Sequence, residues 1–540
     1  MMTNSGKLVV SVWVTVCSLS ACSKVEDSAI SRQGVVYCSE SNPSSFNPQL
    51  DTSGTTADAS AHQLYDRLIE FDVETGNIVP GLADSWRVSA DGLQYIFQLK
   101  KNVDFHTTAY FSPSRHFNAD DVLFSIERWR SAQHPYHQVS GGMYPYFQSL
   151  DLNNNIQSVR RINGYRVEIN LRQPDSSFLA NLATDFAVIL SAEYGQQLLL
   201  QDSPELIDTQ PIGTGPYKFV KFRKNHFIRY DQHESYWRHE VDNQQLVFDI
   251  TPRSALRLAK LLTGECDISA FPAQSELDVV RDNERLTLLE KPGLNVGFWA
   301  FNTQREPFNN PNVRRALAMA IDKTTLLETV YFGSATRAIS LTPPTSWAYQ
   351  ADGDEIRYNP VQAKNLLRLA GVEAGFQMTI WAMPVQRAYN PNAMKMAKLM
   401  QGDLADVGIE VSIVSYDWVT FRSNLQAGMH DSVLIGWSAD NVDPDNFYRP
   451  LLTCSAIPTG TNRAMWCNEG YDDLIEQAIA VTDVEQRKQL YKRANRLLYE
   501  QVPLMPIAHA YRYQAQRSDI SNVGINSYGG VQLGKVERTQ

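Results

Sequence analysis

The sequence lacks the short motifs that mark the common catalytic sites. There is no Gly-x-Ser-x-Gly elbow, and His239-Glu240 does not continue into a His-Glu-x-x-His helix, so neither serine hydrolysis nor zinc proteolysis has its groups in place. The glycines of Pro211-Ile212-Gly213-Thr214-Gly215-Pro216-Tyr217 have no Lys-Ser/Thr behind them, which excludes a phosphate-cradling loop. The ten histidines are scattered without metal-ligand spacing, and no Cys-x-x-Cys occurs. Asp151-Leu152-Asn153-Asn154-Asn155 begins like a calcium loop, but Ile156 replaces the turn glycine and Ile162 the bidentate glutamate. Basic charge is also short: 49 Lys+Arg against 59 Asp+Glu give a formal net charge of −10, which argues against a nucleic-acid partner and suits cationic ligands. No internal repeat and no low-complexity tract is present. These absences leave a non-catalytic protein with no metal site and no cofactor, and make an exported peptide hydrolase the poorer reading.

Long hydrophobic runs are equally scarce. The one near the start, Leu8 to Leu19 behind Lys7, is too short to span a bilayer and reads as the core of a secretory leader. It ends in Leu19-Ser20-Ala21-Cys22, the pattern of small residues before a cysteine that is lipidated and becomes the mature N-terminus. Residues 1–21 are thus expected to be a lipoprotein signal, with Cys22 the lipid acceptor and 22–33 a polar tether. Six cysteines less Cys17 in the leader and Cys22 leave Cys38, Cys266, Cys454 and Cys467. Four cysteines in an exported chain imply two disulfides with three connectivities open, and the short separation of Cys454 and Cys467 allows a local loop that would leave Cys38 and Cys266 as a long-range staple.

At 540 residues the chain exceeds one hydrophobic core, so two or three lobes are expected. Aromatic residues, at 10%, suit ring-lined clefts. Gly34–Cys38 reads as a strand and 42–57 as loop. Ala61–Phe71 shows helical spacing, and Asp91-Gly92 between alternating runs marks a β-hairpin. Asn118 caps a helix that includes Val122, Leu123 and Ile126, and 130–180 mixes short strands with loops. From Leu294 the pattern becomes strand (Val296–Phe301), helix (Val313–Asp322, opened by Pro311), helix (Pro360–Leu369), strand (Phe376–Ala382), helix (Ala393–Val407) and strand (Ile409–Val414). That alternation predicts an α/β fold with a mainly parallel sheet. A helix over Asp483–Glu500, with a capping box at Thr482–Glu485, precedes a last strand at Leu504–His509 and a weakly hydrophobic tail.

Two stretches carry candidate chemistry. LIGWSADNVDPDNF (434–447) opens as a buried strand, breaks at Gly436 and delivers Trp437 and Asp440 into a loop, which is where open α/β sheets bind ligands. Trp437 offers an apolar wall and Asp440 a charge for an ammonium group, with Asp443 and Asp445 adding acidity. WAMPVQRAYNP (381–391) also follows a strand. Its Arg387, among aromatic and Met side chains, suits bidentate capture of a carboxylate. Together they offer opposite charges to a zwitterion such as a short peptide.

With these stretches in view the chain resembles the extracytoplasmic peptide-binding proteins of ABC importers, in particular the dipeptide-binding and Sap-type proteins. The matching motifs are YCSESNPSSFNPQLDTSGTT (37–56), LADSWRVSADGLQYIFQLKKNVDFH (82–106), FNADDVLFSIERW (117–129), PIGTGPYKF (211–219), PGLNVGFWAFNT (292–303), WAMPVQRAYNPN (381–392) and GWSADNVDPDNF (436–447). LLTGECD (261–267), TSWAY (345–349) and RPLLTCSAI (449–457) look closest to the Sap-type branch.

The resemblance implies a two-lobed clamshell with mixed sheets and an extra N-terminal subdomain at about 60–210. Lobe I would be 34–293 plus 510–540 and lobe II 294–509, with hinge crossings near Gly293–Val296 and Ile507–Tyr511. It implies the pairings Cys38–Cys266 and Cys454–Cys467, Asp440 on a ligand ammonium and Arg387 on its carboxylate. Tyr389, Trp418 and Trp437 would be pocket walls, with the Ser53–Gly54–Thr55 backbone on the N-terminal side. It implies a lipid-anchored monomer on the periplasmic side of the envelope that passes short peptides to inner-membrane permease subunits. Alternatives within the resemblance are Sap-type binding of cationic antimicrobial peptides, or haem, though no His or Cys is placed as an axial ligand. Sensing for a partner receptor is a further one.

Overall fold

The computed structural model describes Met2 and residues 34–539, apart from 73–74, 352 and 529. Cys22, the leader and the tether therefore lie outside the described residues. Among the described residues no helix is long and apolar enough to cross a membrane.

A 12-stranded mixed sheet runs through the molecule, and one strand, Leu504–Arg517, ties its two halves together. The first part of that strand pairs antiparallel with Asn295–Phe301, through Ala300↔Leu504 to Gly297↔Ala508. Its second part pairs antiparallel with Leu286–Pro292 and with Ile268–Ala270. Each half carries its own core, one built around Val35, Tyr37, Phe97 and Phe248, the other around Trp299, Phe301, Leu434 and Ile507. The chain crosses between the halves twice, once along Leu504–Arg517 and once between Pro292 and Asn295. Asn295 joins the two crossings: its Nδ2 donates to Ala510 O at 2.8 Å, and Ala510 N–H donates to its Oδ1 at 2.9 Å.

In the second half, Phe376–Ala382 and Ile409–Val414 form with the expected bounds and lie parallel. Ser432–Ser438 sits between Phe376–Ala382 and Asn295–Phe301, which is why Val433, Leu434 and Ile435 form an unbroken apolar run: both faces of a central strand are covered. In the first half, Gly34–Ser39 is parallel to Gln245–Ile250 and to Ile268–Ala270. A separate four-stranded antiparallel sheet holds Ala83–Val88 and Gln94–Leu99, the hairpin turning at Asp91-Gly92 with Gly92 at φ +70°. Beside it, the Ala119–Arg130 helix starts in a capping box: Asp120 N–H donates to Asn118 Oδ1 at 2.8 Å and Asn118 N–H to Asp121 Oδ2 at 2.9 Å.

Several expectations are corrected. Ala61–Phe71 is not a helix; a short helix, Gly54–Ser60, precedes it, and the segment turns into the strand Ile69–Phe71, with Leu64 and Leu68 buried all the same. The large sheet is mixed, because the strands flanking Leu504–Arg517 run against it. The Val484–Gln501 helix is capped by Asp483, whose Oδ1 accepts from Gln486 N–H at 2.8 Å, so Thr482 is not its cap. The last strand continues to Arg517, and the tail beyond it buries Ile520, Val531, Leu533 and Val536 in the first core. The stretch from Asp151 makes one helical turn, Leu152–Asn155.

The double-glycine turn at 213–215 has a steric cause. A Cβ on Gly213 would lie 1.9 Å from Leu64 O, and one on Gly215 would lie 2.5 Å from the Leu64 carbonyl carbon. Two backbones meet there, and only glycine permits it. Cys38 and Cys266 are bridged with Cα atoms 5.9 Å apart, and Cys454 and Cys467 with Cα atoms 4.6 Å apart, both within disulfide reach.

Candidate functional site

Between the two cores lies a cavity of about 140 Å³ whose lining includes Ser53, Gly54, Arg387, Tyr389, Trp418, Trp437 and Asp440. Seven of the eight candidate contacts thus share one space, drawn from four separate parts of the chain. Thr55 is the exception. It is buried in the first turn of the Gly54–Ser60 helix, and its hydroxyl pairs with Ser53 Oγ at 2.9 Å.

Asp440 follows the strand Ser432–Ser438. Its backbone N–H donates to Asn446 Oδ1 at 3.0 Å, and Trp437 Nε1–H donates to the same oxygen at 3.0 Å. Asn446 in turn donates to the Tyr146 hydroxyl at 3.2 Å, so the loop geometry is set from both halves. One oxygen of the Asp440 carboxyl, Oδ2, is buried and has no partner. Burial, then the charge of Asp185, pushes its pKa well above the carboxylate range, against a smaller opposing effect of Asn446. An orphaned, desolvated carboxyl in a cavity is a site prepared for a cation.

The Arg387 side chain comes from a tight turn after Phe376–Ala382, in which Arg387 and Asn390 exchange backbone hydrogen bonds of 3.2 and 3.1 Å. Its guanidinium lies 6.0 Å from the Phe271 and Trp418 ring centres. It is not free: Nη1 donates to Glu40 Oε1 at 2.9 Å, across the gap between the halves. Arg422 makes a second bridge of the same kind, 2.7 Å to Asp51. The Trp418 indole N–H is buried and unpartnered, and its ring stacks on Phe421 at 5.9 Å.

The expected acidic cluster is resolved differently. Asp443 pairs with Arg487 at 2.7 Å and Asp445 with Arg449 at 2.6 Å, so both charges are spent on packing and only Asp440 faces the cavity. Sequence reasoning also missed Glu40, Asp58, Asp185, Arg422, Arg463 and Arg512, all of which line the cavity. Asp58 is held at a pKa of about 7, first by burial and then by the charge of Glu40, with Arg512 acting in the other direction. Among the described residues no group of three or more His, Cys, Asp or Glu is placed to hold a metal ion.

Residues 77–459 match the family model described as bacterial extracellular solute-binding proteins, family 5. The chain belongs to that family. Relatives of this chain include the dipeptide-binding protein of Escherichia coli K12, 42% identical over 501 residues, which cover 93% of this chain and 94% of that one. The peptide transport periplasmic protein SapA of Salmonella typhimurium LT2 is 41% identical over 505 residues, 94% and 92% of the two chains. A crystal structure of a dipeptide-binding protein from Pseudoalteromonas sp. SM9913 in complex with Met-Leu superposes with a TM-score of 0.92 at 47% identity, covering 94% of this chain and all of that one. The family 5 fold and the two-lobed architecture are therefore those of this chain.

Proposed function

We propose that this protein is the substrate-binding component of an ABC importer, which captures short peptides between its lobes and delivers them to a membrane permease. The observation that carries the reading is that the Asp440 carboxyl and the Arg387 guanidinium, on loops after two different strands, line one cavity between the two cores. The dipeptide-binding names of relatives covering most of the chain, and the Met-Leu complex of one neighbour, support it. In this reading Asp440 takes the ligand's ammonium group. The ligand's terminal carboxylate replaces Glu40 on Arg387, while Trp437, Tyr389 and Trp418 form the walls. The cavity of about 140 Å³ is below the roughly 300–1,000 Å³ of drug-sized sites, which favours a ligand of two or three residues. The protein performs no chemistry on the peptide. Cys22 would carry the lipid that anchors a monomer on the periplasmic side.

The cationic-peptide alternative loses Asp443 and Asp445, which are paired internally, and keeps the carboxyls of Asp440, Asp58 and Asp185 on the cavity wall. For haem, the cavity wall offers no histidine, cysteine or methionine among the described residues, and Tyr389 is its one tyrosine. Isothermal titration of Ala-Ala into the purified chain tests the assignment. Asp440→Ala and Arg387→Ala should each cost about 2–5 kcal/mol, because each leaves a desolvated ligand charge without its partner. Equal affinity of both variants and the parent would remove the reading.

A further inference from the structure

Beyond the two peptide ends, the cavity wall is rich in charge of both signs, with Glu40, Asp58, Asp185 and Asp440 among its lining. Four arginines line it, and three of them are engaged. Arg387 is bridged to Glu40, Arg422 to Asp51, and Arg512 donates to the backbone carbonyl of Tyr528. Arg463 is the fourth. Among the described residues no carboxylate or carbonyl accepts from its guanidinium, and the charges it feels are the Arg422 cation and the Tyr389 phenol. Burial, with the repulsion of Arg422 behind it, draws its pKa down to about 9.

The backbone that carries it is held in place. Arg463 lies inside the loop closed by the Cys454–Cys467 disulfide. Its own carbonyl accepts from His430 Nε2 at 2.8 Å, and Thr303 N–H donates to the next carbonyl, that of Ala464, at 2.9 Å. Asn462 Nδ2 donates to the carbonyls of Thr453 and Trp466 at 3.1 and 2.7 Å. A half-buried guanidinium that lines a cavity without a counter-ion is well placed to gain from an anion that a ligand brings to it. The ligand's terminal carboxylate is already assigned to Arg387, so the anion needed at Arg463 is a second one. A short peptide has one place for a second carboxylate, its side chain.

We propose that Arg463 is a specificity-determining residue of the cleft, selecting short peptides that carry an acidic side chain. This rests on the peptide reading above. The test is calorimetry on the full mature chain with Ala-Ala, Ala-Glu, Ala-Gln, Glu-Ala, Gln-Ala and Ala-Lys, comparing the parent with Arg463→Gln and Arg463→Lys. Glutamine matches glutamate in shape without its charge, so the Glu/Gln affinity ratio isolates the ion pair. The parent should favour glutamate over glutamine about tenfold or more at one of the two positions, the range of a charge-assisted hydrogen bond. Arg463→Gln should bring that ratio close to one, and Arg463→Lys should keep part of it. If the parent binds Ala-Ala but treats Glu and Gln alike, the proposal is overturned and the peptide reading stands. If Arg463→Gln weakens every peptide equally and the ratio survives, Arg463 is a terminal anchor, which also overturns it. If the parent binds none of the six, the peptide reading itself falls and takes this inference with it.

Discussion

His509 shows how one side chain at a crossing can couple the fold to pH. It lies in the strand that joins the halves, buried, with Nδ1 2.7 Å from Asn295 O and Nε2 without a partner. Burial dominates and holds its pKa at about 4, against an ordinary 6.5, with the Asn295 carbonyl opposing and Lys323 adding to the depression. Above pH 6.5 the imidazole is neutral folded and unfolded, so it contributes no pH dependence. As pH falls from 6.5 to 4 only the unfolded chain takes up the proton, and the folded state loses about 3 kcal/mol. His509→Gln, which keeps a donor for Asn295, should therefore lose less stability over that window than the parent. Urea midpoints measured at pH 7, 5.5 and 4.5 give the comparison, and parallel pH profiles would show that His509 is not held neutral.

At the scale of the element, the cavity wall depends on a gap in the sheet. Gly297 and Gly436 are register partners on neighbouring antiparallel strands. A Cβ on Gly297 would sit 2.2 Å from Tyr389 O, and one on Gly436 would sit 2.3 Å from Tyr389 Cδ2 and 2.4 Å from Val296 O. The pair thus forms a notch that seats Tyr389, backbone over one glycine and ring over the other, and Tyr331 fixes it by donating to Tyr389 O at 2.8 Å. Gly436→Ala should cost about 1–3 kcal/mol of stability by overpacking, and should weaken Ala-Ala binding at least tenfold because the displaced ring moves into the cavity. Urea titration and calorimetry on the same sample test both, and parent values in each would show that the notch has slack. The break at Gly436 is visible in the sequence as the end of an apolar run, and the strands 376–382 and 409–414 are legible to the residue, because burial on both faces writes itself into local composition. Ala61–Phe71 is not legible in this way. Leu64 and Leu68 satisfy helical spacing yet are buried in a turn and in the bend just before the strand Ile69–Phe71, where tertiary packing overrides periodicity. Asp440 and Arg387 could be singled out because each follows a readable strand. Glu40 follows a readable strand too, Gly34–Ser39, and could have been singled out on the same ground, whereas Asp58 and Arg463 could not be found, since their meeting depends on distant segments and nothing local distinguishes them from surface charges.

For the whole molecule, the decisive feature is that the cavity is closed by groups from both halves. Glu40 reaches Arg387 and Asp51 reaches Arg422 across the gap. On one flank, Arg449 binds Asp175 at 3.1 Å and the Leu150 carbonyl at 2.7 Å, and Asn441 donates to Asn181 at 3.1 Å. These contacts clamp the two halves together over the cavity, so an open form in which they are broken gives a peptide a wider way in. The two crossings beside Asn295 are the backbone about which such an opening can turn, as in hinge closure around a ligand. A ligand shifts that equilibrium only through contacts made in the closed form alone; Asp440 and Arg387 both belong to the second half, so in the peptide reading those contacts are the ones a ligand held there makes to the first half's wall, Ser53, Gly54 and Asp58 among it. Small-angle X-ray scattering of the ligand-free chain should therefore give a larger radius of gyration than the same sample saturated with Ala-Ala. Asp440→Ala should remain at the larger value at a peptide concentration that closes the parent. Identical scattering with and without peptide, on a sample whose calorimetry shows saturation, would mean that the lobes do not move and that the peptide enters by another route.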